Sequence, residues 1–246
     1  MQAIKPDYRA AIRPRRQTDN DLHAAPHPAI IVRYPTLNPT FRRNHRTRMT
    51  QAARLFLRQF ARSPRTIGAV VPSSPALAQA MVAPIDFATA RTIVEFGPGT
   101  GAFTRVIAHH LRPQCRYLGI ELNGTFCHRL TTEFPRLGFV HGSVADLTPI
   151  LASQGIAEID AIISGLPWAT LPLSLQETVF SAVDRVLAPG GLFLTFGYVQ
   201  SLLLPGAWAL RERLRHSFGR VSRSKVIWAN IPPAFAYICH KAKQSH

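Results

Sequence analysis

The chain has 246 residues, 46% of them apolar, with a formal charge of +16 and a pI near 11.2. That allows one sizeable core with appendages. Three cysteines, Cys115, Cys127 and Cys239, have neither even pairing nor metal-ligand spacing, which excludes a disulfide framework or a zinc module and suits a reducing cytosol. No metal site is expected. The charge points to a polyanionic partner, nucleic acid or anionic membrane.

No unbroken apolar run reaches the ~18 residues of a membrane span, and the first residues lack the apolar region of a secretory signal. Residues 1–48 hold ten Lys/Arg against three Asp, with six prolines and no sustained period. They read as a disordered basic arm, or as an overextended start before Met49.

Residues 49–90 read as a helical entry segment. Over Thr50–Ala61 a helix places Ala53, Phe56, Leu57 and Phe60 on one side. Arg54, Arg58, Arg62 and Arg65 fall within ~80° on the other, at 100° per residue. Such a helix either lies in a membrane interface, with Arg54, Phe56, Arg58, Phe60, Arg62 and Arg65 as contacts, or packs on the domain with a solvated face. Ser74 before Pro75 starts a further short helix, Ala76–Met81: a hydroxyl cap followed by proline at the first helical position.

Residues 91–246 alternate strand and helix, which predicts an α/β fold with a mostly parallel sheet. Ile93–Phe96 is a buried strand. Gly97, Gly99 and Gly101 follow, and then Phe103, Val106 and Ile107 at helical spacing. Strand, glycine turn and helix in that order bring backbone close to a nucleotide. Arg116–Leu122 is a second strand ending in Glu121, whose carboxylate suits two ribose hydroxyls. Gly138–Ser143 is a third, and Ile159–Ser164 a fourth. Leu175–Leu187 reads as a helix stopped by Ala188-Pro189-Gly190-Gly191. Leu192–Tyr198 is the fifth strand, and Arg223–Trp228 with Ala234–His240 a final pair.

The loop Glu95-Phe96-Gly97-Pro98-Gly99-Thr100-Gly101 resembles the first motif of class I methyltransferases, which implies a Rossmann-like, seven-stranded sheet with helices on both faces and S-adenosylmethionine as cofactor. The resemblance gives cofactor contacts to Glu95, Phe96, Gly97, Pro98, Gly99, Thr100, Gly101, Glu121, Leu122, Gly142, Ser143, Val144, Ser164 and Gly165. Ser143 stands where an Asp is usual, and nearby Asp146 either substitutes for it or caps a helix.

Ser164-Gly165-Leu166-Pro167-Trp168 resembles the Asn-Leu-Pro-Tyr of ribosomal RNA adenine dimethylases, with Gly165 in place of the amine-binding Asn. Trp168 either faces a base or cation or is a packed core aromatic. Together with Val71-Pro-Ser-Ser-Pro75 and Asn230-Ile-Pro-Pro-Ala-Phe-Ala-Tyr237, the chain from Arg54 to His240 is similar to the bacterial phospholipid N-methyltransferases of the soluble, peripheral type. That resemblance implies stepwise methylation of phosphatidylethanolamine towards phosphatidylcholine at the inner face of the cytoplasmic membrane, by an enzyme of the bacterial cytoplasm that docks an amphipathic helix on anionic lipid. Trp168, Tyr198 and His141 are then the candidates for base or cation contact. Arg211, Arg213, Arg215, Arg220, Arg223 and Lys225 form either a headgroup lid or a solvated face. Two alternatives stand: methylation of adenine in ribosomal RNA or another nucleic acid, and methylation of another aminolipid such as an ornithine lipid.

Overall fold

A computed structural model describes residues 73–243. The predicted contacts at Arg54, Phe56, Arg58, Phe60, Arg62 and Arg65, and the basic arm, lie outside these residues. The first described helix, α1 (Pro75–Val82), starts as its sequence dictates: Ser74 Oγ accepts from Leu77 N, and Pro75 occupies the first turn.

Seven strands follow: β1 (Thr92–Phe96), β2 (Arg116–Glu121), β3 (Gly138–His141), β4 (Ile159–Ser164), β5 (Leu187–Tyr198), β6 (Arg220–Arg223) and β7 (Ala234–His240). They form one sheet in the order β3-β2-β1-β4-β5-β7-β6, with β7 antiparallel to both neighbours and the rest parallel. The helices between them are α2 (Ala102–His110), α3 (Gly124–Glu133), α4 (Leu147–Ser153), α5 (Leu173–Val186) and α6 (Pro205–Ser217). The expected Rossmann-like methyltransferase architecture is the observed one.

Strand alternation divides the core into two layers. Val94 and Phe96 pack with Leu147, Leu175, Val179 and Leu214, under α4, α5 and α6. Ile93 packs on the opposite face with Leu77, Met81, Ile107 and Leu130, under α1, α2 and α3. Strand order reverses between β1 and β4, and ligands of open α/β sheets bind at the carboxyl ends beside such a switch point.

Two boundaries differ from the sequence reading. Helix α5 stops at Val186 and β5 already begins at Leu187. Leu187 pairs with Ile159, and Leu192 then pairs with Ala161, so Ala188–Gly191 is a bulge within the strand. Gly190, at φ 77°, supplies the turn. The last strand pair uses Arg220–Arg223 rather than Arg223–Trp228. Ser224 Oγ accepts from Ala236 N, so a side chain takes the place of a ladder carbonyl. Only a single bridge, Ile227 to Ala234, remains beyond it.

Candidate active site

The turn after β1 is wired to its neighbours. Gly97 N donates to Ile120 O of β2, and Phe96 O accepts from Gly165 N at the end of β4. Gly97, Gly99 and Gly101 have φ of 65°, 56° and 80°, a region that disfavours other residues. Pro98 is buried and its carbonyl accepts from Gly101 N; Thr100 is half-buried.

Glu121, at the end of β2, is the polar centre. Its Oε2 accepts from Gly99 N at 2.9 Å and its Oε1 from Asn123 N at 2.8 Å. Burial raises its pKa above the usual carboxylate range, against the lowering effect of the Asn123, Gly99 and Leu122 backbone N–H groups and of His141. The two oxygens keep acceptor capacity beyond these backbone bonds. A fixed, desolvated carboxylate beside an open glycine turn fits a ribose diol: a Cβ on Gly99 would meet nothing closer than Gly97 O at 3.8 Å.

The end of β3 continues this wall. Gly142 N donates to Glu121 O. Ser143 Oγ accepts from Ala145 N, leaving its O–H to donate. Val144 is buried and Leu122 half-buried, an apolar setting suited to a base. These residues would hold the nucleoside of the expected cofactor.

Glu95 turns the other way, into the layer under α2. Its Oε2 accepts from Thr104 Oγ1 (2.9 Å) and from Tyr117 Oη (2.6 Å), while Oε1 has no partner among the described residues. Burial lifts its pKa to about 7, despite the two hydrogen bonds. Thr104 and Tyr117 are residues the sequence reading missed. For Tyr117 the signal was the period of two: it pairs with Ile93, which shares a face with Glu95.

A stability prediction arises here. A carboxyl whose pKa rises from 4.5 unfolded to about 7 folded makes the native state bind more protons, so stability falls as pH rises through that window. The loss attributable to Glu95 is about 3 kcal/mol between pH 4.5 and 8. Urea midpoints of the wild type and Glu95→Gln, measured from pH 5 to 8, should converge at low pH and separate at high pH in favour of the variant. A constant offset would remove the assignment.

The substrate-side candidates fare differently. Trp168 is corrected. It is 1% exposed and packed against Phe180 and Phe193, and its indole N–H donates to Ser164 Oγ at 2.8 Å. It presents no face to a substrate. Ser164 is likewise fully buried, with its hydroxyl committed to Trp168 and Leu166 N. Its side chain thus has no exposed face for the cofactor contact expected of it.

Tyr198 is half-buried at the end of β5, in an edge-to-face row with Phe196 and Phe103. Burial raises its phenol pKa, so it stays protonated and is not a general base at neutral pH. Its ring remains suited to a cation. His141 is exposed on β3, its Nε2 3.1 Å from Leu122 O. Four strand spacings separate β3 from β5, about 19 Å. His141 thus belongs to the nucleoside side and does not share one amine with Tyr198.

Gly165 has a steric reason. A Cβ there would lie 2.8 Å from Gly97 O, a backbone atom. The two proline-containing motifs also meet: Asn230, 3% exposed, accepts from Ser74 N through Oδ1 and donates to Pro232 O through Nδ2. This bond ties the α1 cap to the start of β7.

A family model described as a methyltransferase domain matches residues 94–193. An ornithine lipid N-methyltransferase of Singulisphaera acidiphila is 37% identical over 196 residues, which cover 78% of this chain and 97% of that protein. Among solved structures, a putative rRNA-methylase from Clostridium thermocellum aligns with TM-score 0.53 at 15% identity, covering 72% of this chain and 100% of its own. The O-methyltransferase TomG from Streptomyces achromogenes, in complex with SAM, aligns with TM-score 0.51 at 16% identity, covering 79% and 92%. At these identities the two structures share the fold alone.

Proposed function

This chain belongs to the class I S-adenosylmethionine-dependent methyltransferases, the family of the ornithine lipid N-methyltransferase it resembles, and from that premise we propose that it methylates the amine of an aminolipid of the ornithine type. The observation that carries the lipid class is the relative that aligns over nearly its whole length at 37% identity. It favours ornithine lipid over the phosphatidylethanolamine suggested by sequence motifs. The crowded surroundings of Gly165 support the same choice against a nucleobase. The Asn that the RNA dimethylases place there has no room for even its first side-chain carbon while Gly97 O stays where it is.

Bound S-adenosylmethionine supplies a methyl group already activated on a sulfonium. The chain's residues have to grip the cofactor, admit an amine and keep water away. Glu121 would hold the ribose and the glycine turn would let backbone approach. An alkylammonium with pKa near 10 costs about 4 kcal/mol to deprotonate at pH 7. Neither His141 nor Tyr198 is placed or poised to take that proton. We therefore assign deprotonation to the solvent-facing mouth, with the Phe196–Tyr198 aromatic row favouring loss of water around the amine. No helix among the described residues is long and apolar enough to cross a membrane.

Expression in a host that makes both ornithine lipid and phosphatidylethanolamine tests the choice. Lipid mass spectra are expected to show ornithine lipid carrying added methyl groups and unmodified phosphatidylethanolamine. The reverse pattern would overturn the headgroup assignment.

A further inference from the structure

Eight large apolar side chains are exposed among the described residues, and seven of them fall in two short segments, 202–208 and 226–231. Leu203 is 93% exposed, Ile231 75%, Trp228 73% and Trp208 65%. Fully burying a side chain of this kind is worth about 1.5–3 kcal/mol, and exposed apolar side chains concentrated in this way mark an interaction surface.

The segments are neighbours in space. The first leaves the carboxyl end of β5 through the turn Val199–Leu203, and the second joins β6 to β7. Val199 N donates to Pro233 O, which ties the two together. Leu202 and Val226 line one cleft of about 490 Å³ with Arg223 and Lys225. Gly206 sits so close to Ala169 O that a Cβ would clash with that backbone atom, which seats the start of α6 on the turn after β4. The patch therefore borders the strand ends where an amine would react.

Its charge selects the partner. Residues 202–231 hold six Lys/Arg and one acid, Glu212. Arg213 pairs with Glu177 and Arg215 with Glu212. No carboxylate among the described residues pairs with Arg223 or Lys225, and Arg223 lies over the Phe235 ring at 5.4 Å. Exposed tryptophan and aliphatic side chains in segments that also carry Arg223 and Lys225 match an anionic bilayer interface, where each basic residue adds attraction and indole rings settle at headgroup level.

We propose that this face docks on an anionic lipid bilayer, with Leu203, Trp208, Trp228 and Ile231 inserted at the headgroup–acyl boundary and Arg223 and Lys225 on the lipid anions. The proposal rests on the aminolipid reading: docking here would bring headgroups to the ends of β4 and β5 without extracting the lipid. It is separate from the predicted 50–61 helix.

The chain has three tryptophans, and Trp168 is buried, so fluorescence reports the patch directly. Full-length protein is mixed with vesicles containing phosphatidylglycerol and brominated acyl chains. Quenching of Trp208 and Trp228 is expected, each isolated by a Phe variant of the other, with Trp168 emission unaffected. Leu203→Ser with Ile231→Ser should weaken vesicle binding about tenfold or more, while methylation of a short-chain, monomeric ornithine amide keeps its rate. Vesicle binding without quenching at Trp208 and Trp228 would overturn the proposal, as the protein would then dock elsewhere. So would a shift in sedimentation from dimer to monomer in the double variant, which would mean that a second copy covers the patch. Quenching with no methylation of any lipid would leave the docking surface standing and refute the aminolipid reading.

Discussion

Glu121→Ala is expected to weaken S-adenosylmethionine binding by about 100-fold or more. The carboxylate accepts one backbone N–H on each oxygen, from Gly99 and Asn123. A bound ribose would add two hydrogen bonds to a charged acceptor, each worth about 1.5–3 kcal/mol. Glu121→Gln should fail nearly as badly, because its amide N–H₂ would confront a backbone donor. The folded apoprotein should not suffer in parallel. Burial raises the pKa of Glu121, so the wild type's stability is expected to fall as pH rises through the folded pKa, a dependence that the alanine variant loses. Titration calorimetry beside thermal unfolding separates the two effects. Unchanged affinity, or an affinity loss that only tracks unfolding, would remove the ribose role.

Gly165→Asn is expected to give no RNA methyltransferase and to lose methyl transfer to lipid. Its Cβ would strike Gly97 O at 2.8 Å and come within 3.5 Å of Phe96 O. These are backbone atoms of the cofactor turn, fixed by the Gly97 N to Ile120 O and Gly165 N to Phe96 O bonds. Overpacking of this sort costs about 1–3 kcal/mol, here taken from the geometry of the turn. Even Gly165→Ala should lower cofactor affinity about tenfold or more on that scale. An asparagine variant that binds cofactor normally and methylates adenine would show that the turn is soft and the nucleic-acid reading sound.

Much of this was legible from local pattern. The apolar runs of β1 to β4 were bounded by glycine or an acid, and Ser74-Pro75 announced α1, so the cofactor half of the site could be assembled from the chain alone. Other features depend on partners far away. Gly165 is small because Gly97 lies against it, and Asn230 is buried because Ser74, 156 residues away, needs its oxygen. Trp168 had the outward role suggested by its motif until the packing of α5 placed Phe180 beneath it. Ala188–Gly191 carries the composition of a turn, and only the shifted pairing with β4 makes it a bulge. Nothing in the local pattern foretold that Leu202 and Val226, from separate segments, would line one cleft.

The central claim is tested most directly by offering the purified protein labelled S-adenosylmethionine with three acceptors in parallel: ornithine-lipid vesicles, phosphatidylethanolamine vesicles and unmodified ribosomal RNA. Label is expected on the ornithine lipid, at a rate that climbs with pH from 7 towards the amine pKa as the neutral amine becomes available. Label in RNA alone would contradict the account, because a base would then have reached the ends of β4 and β5 past a residue with no side chain to hold it.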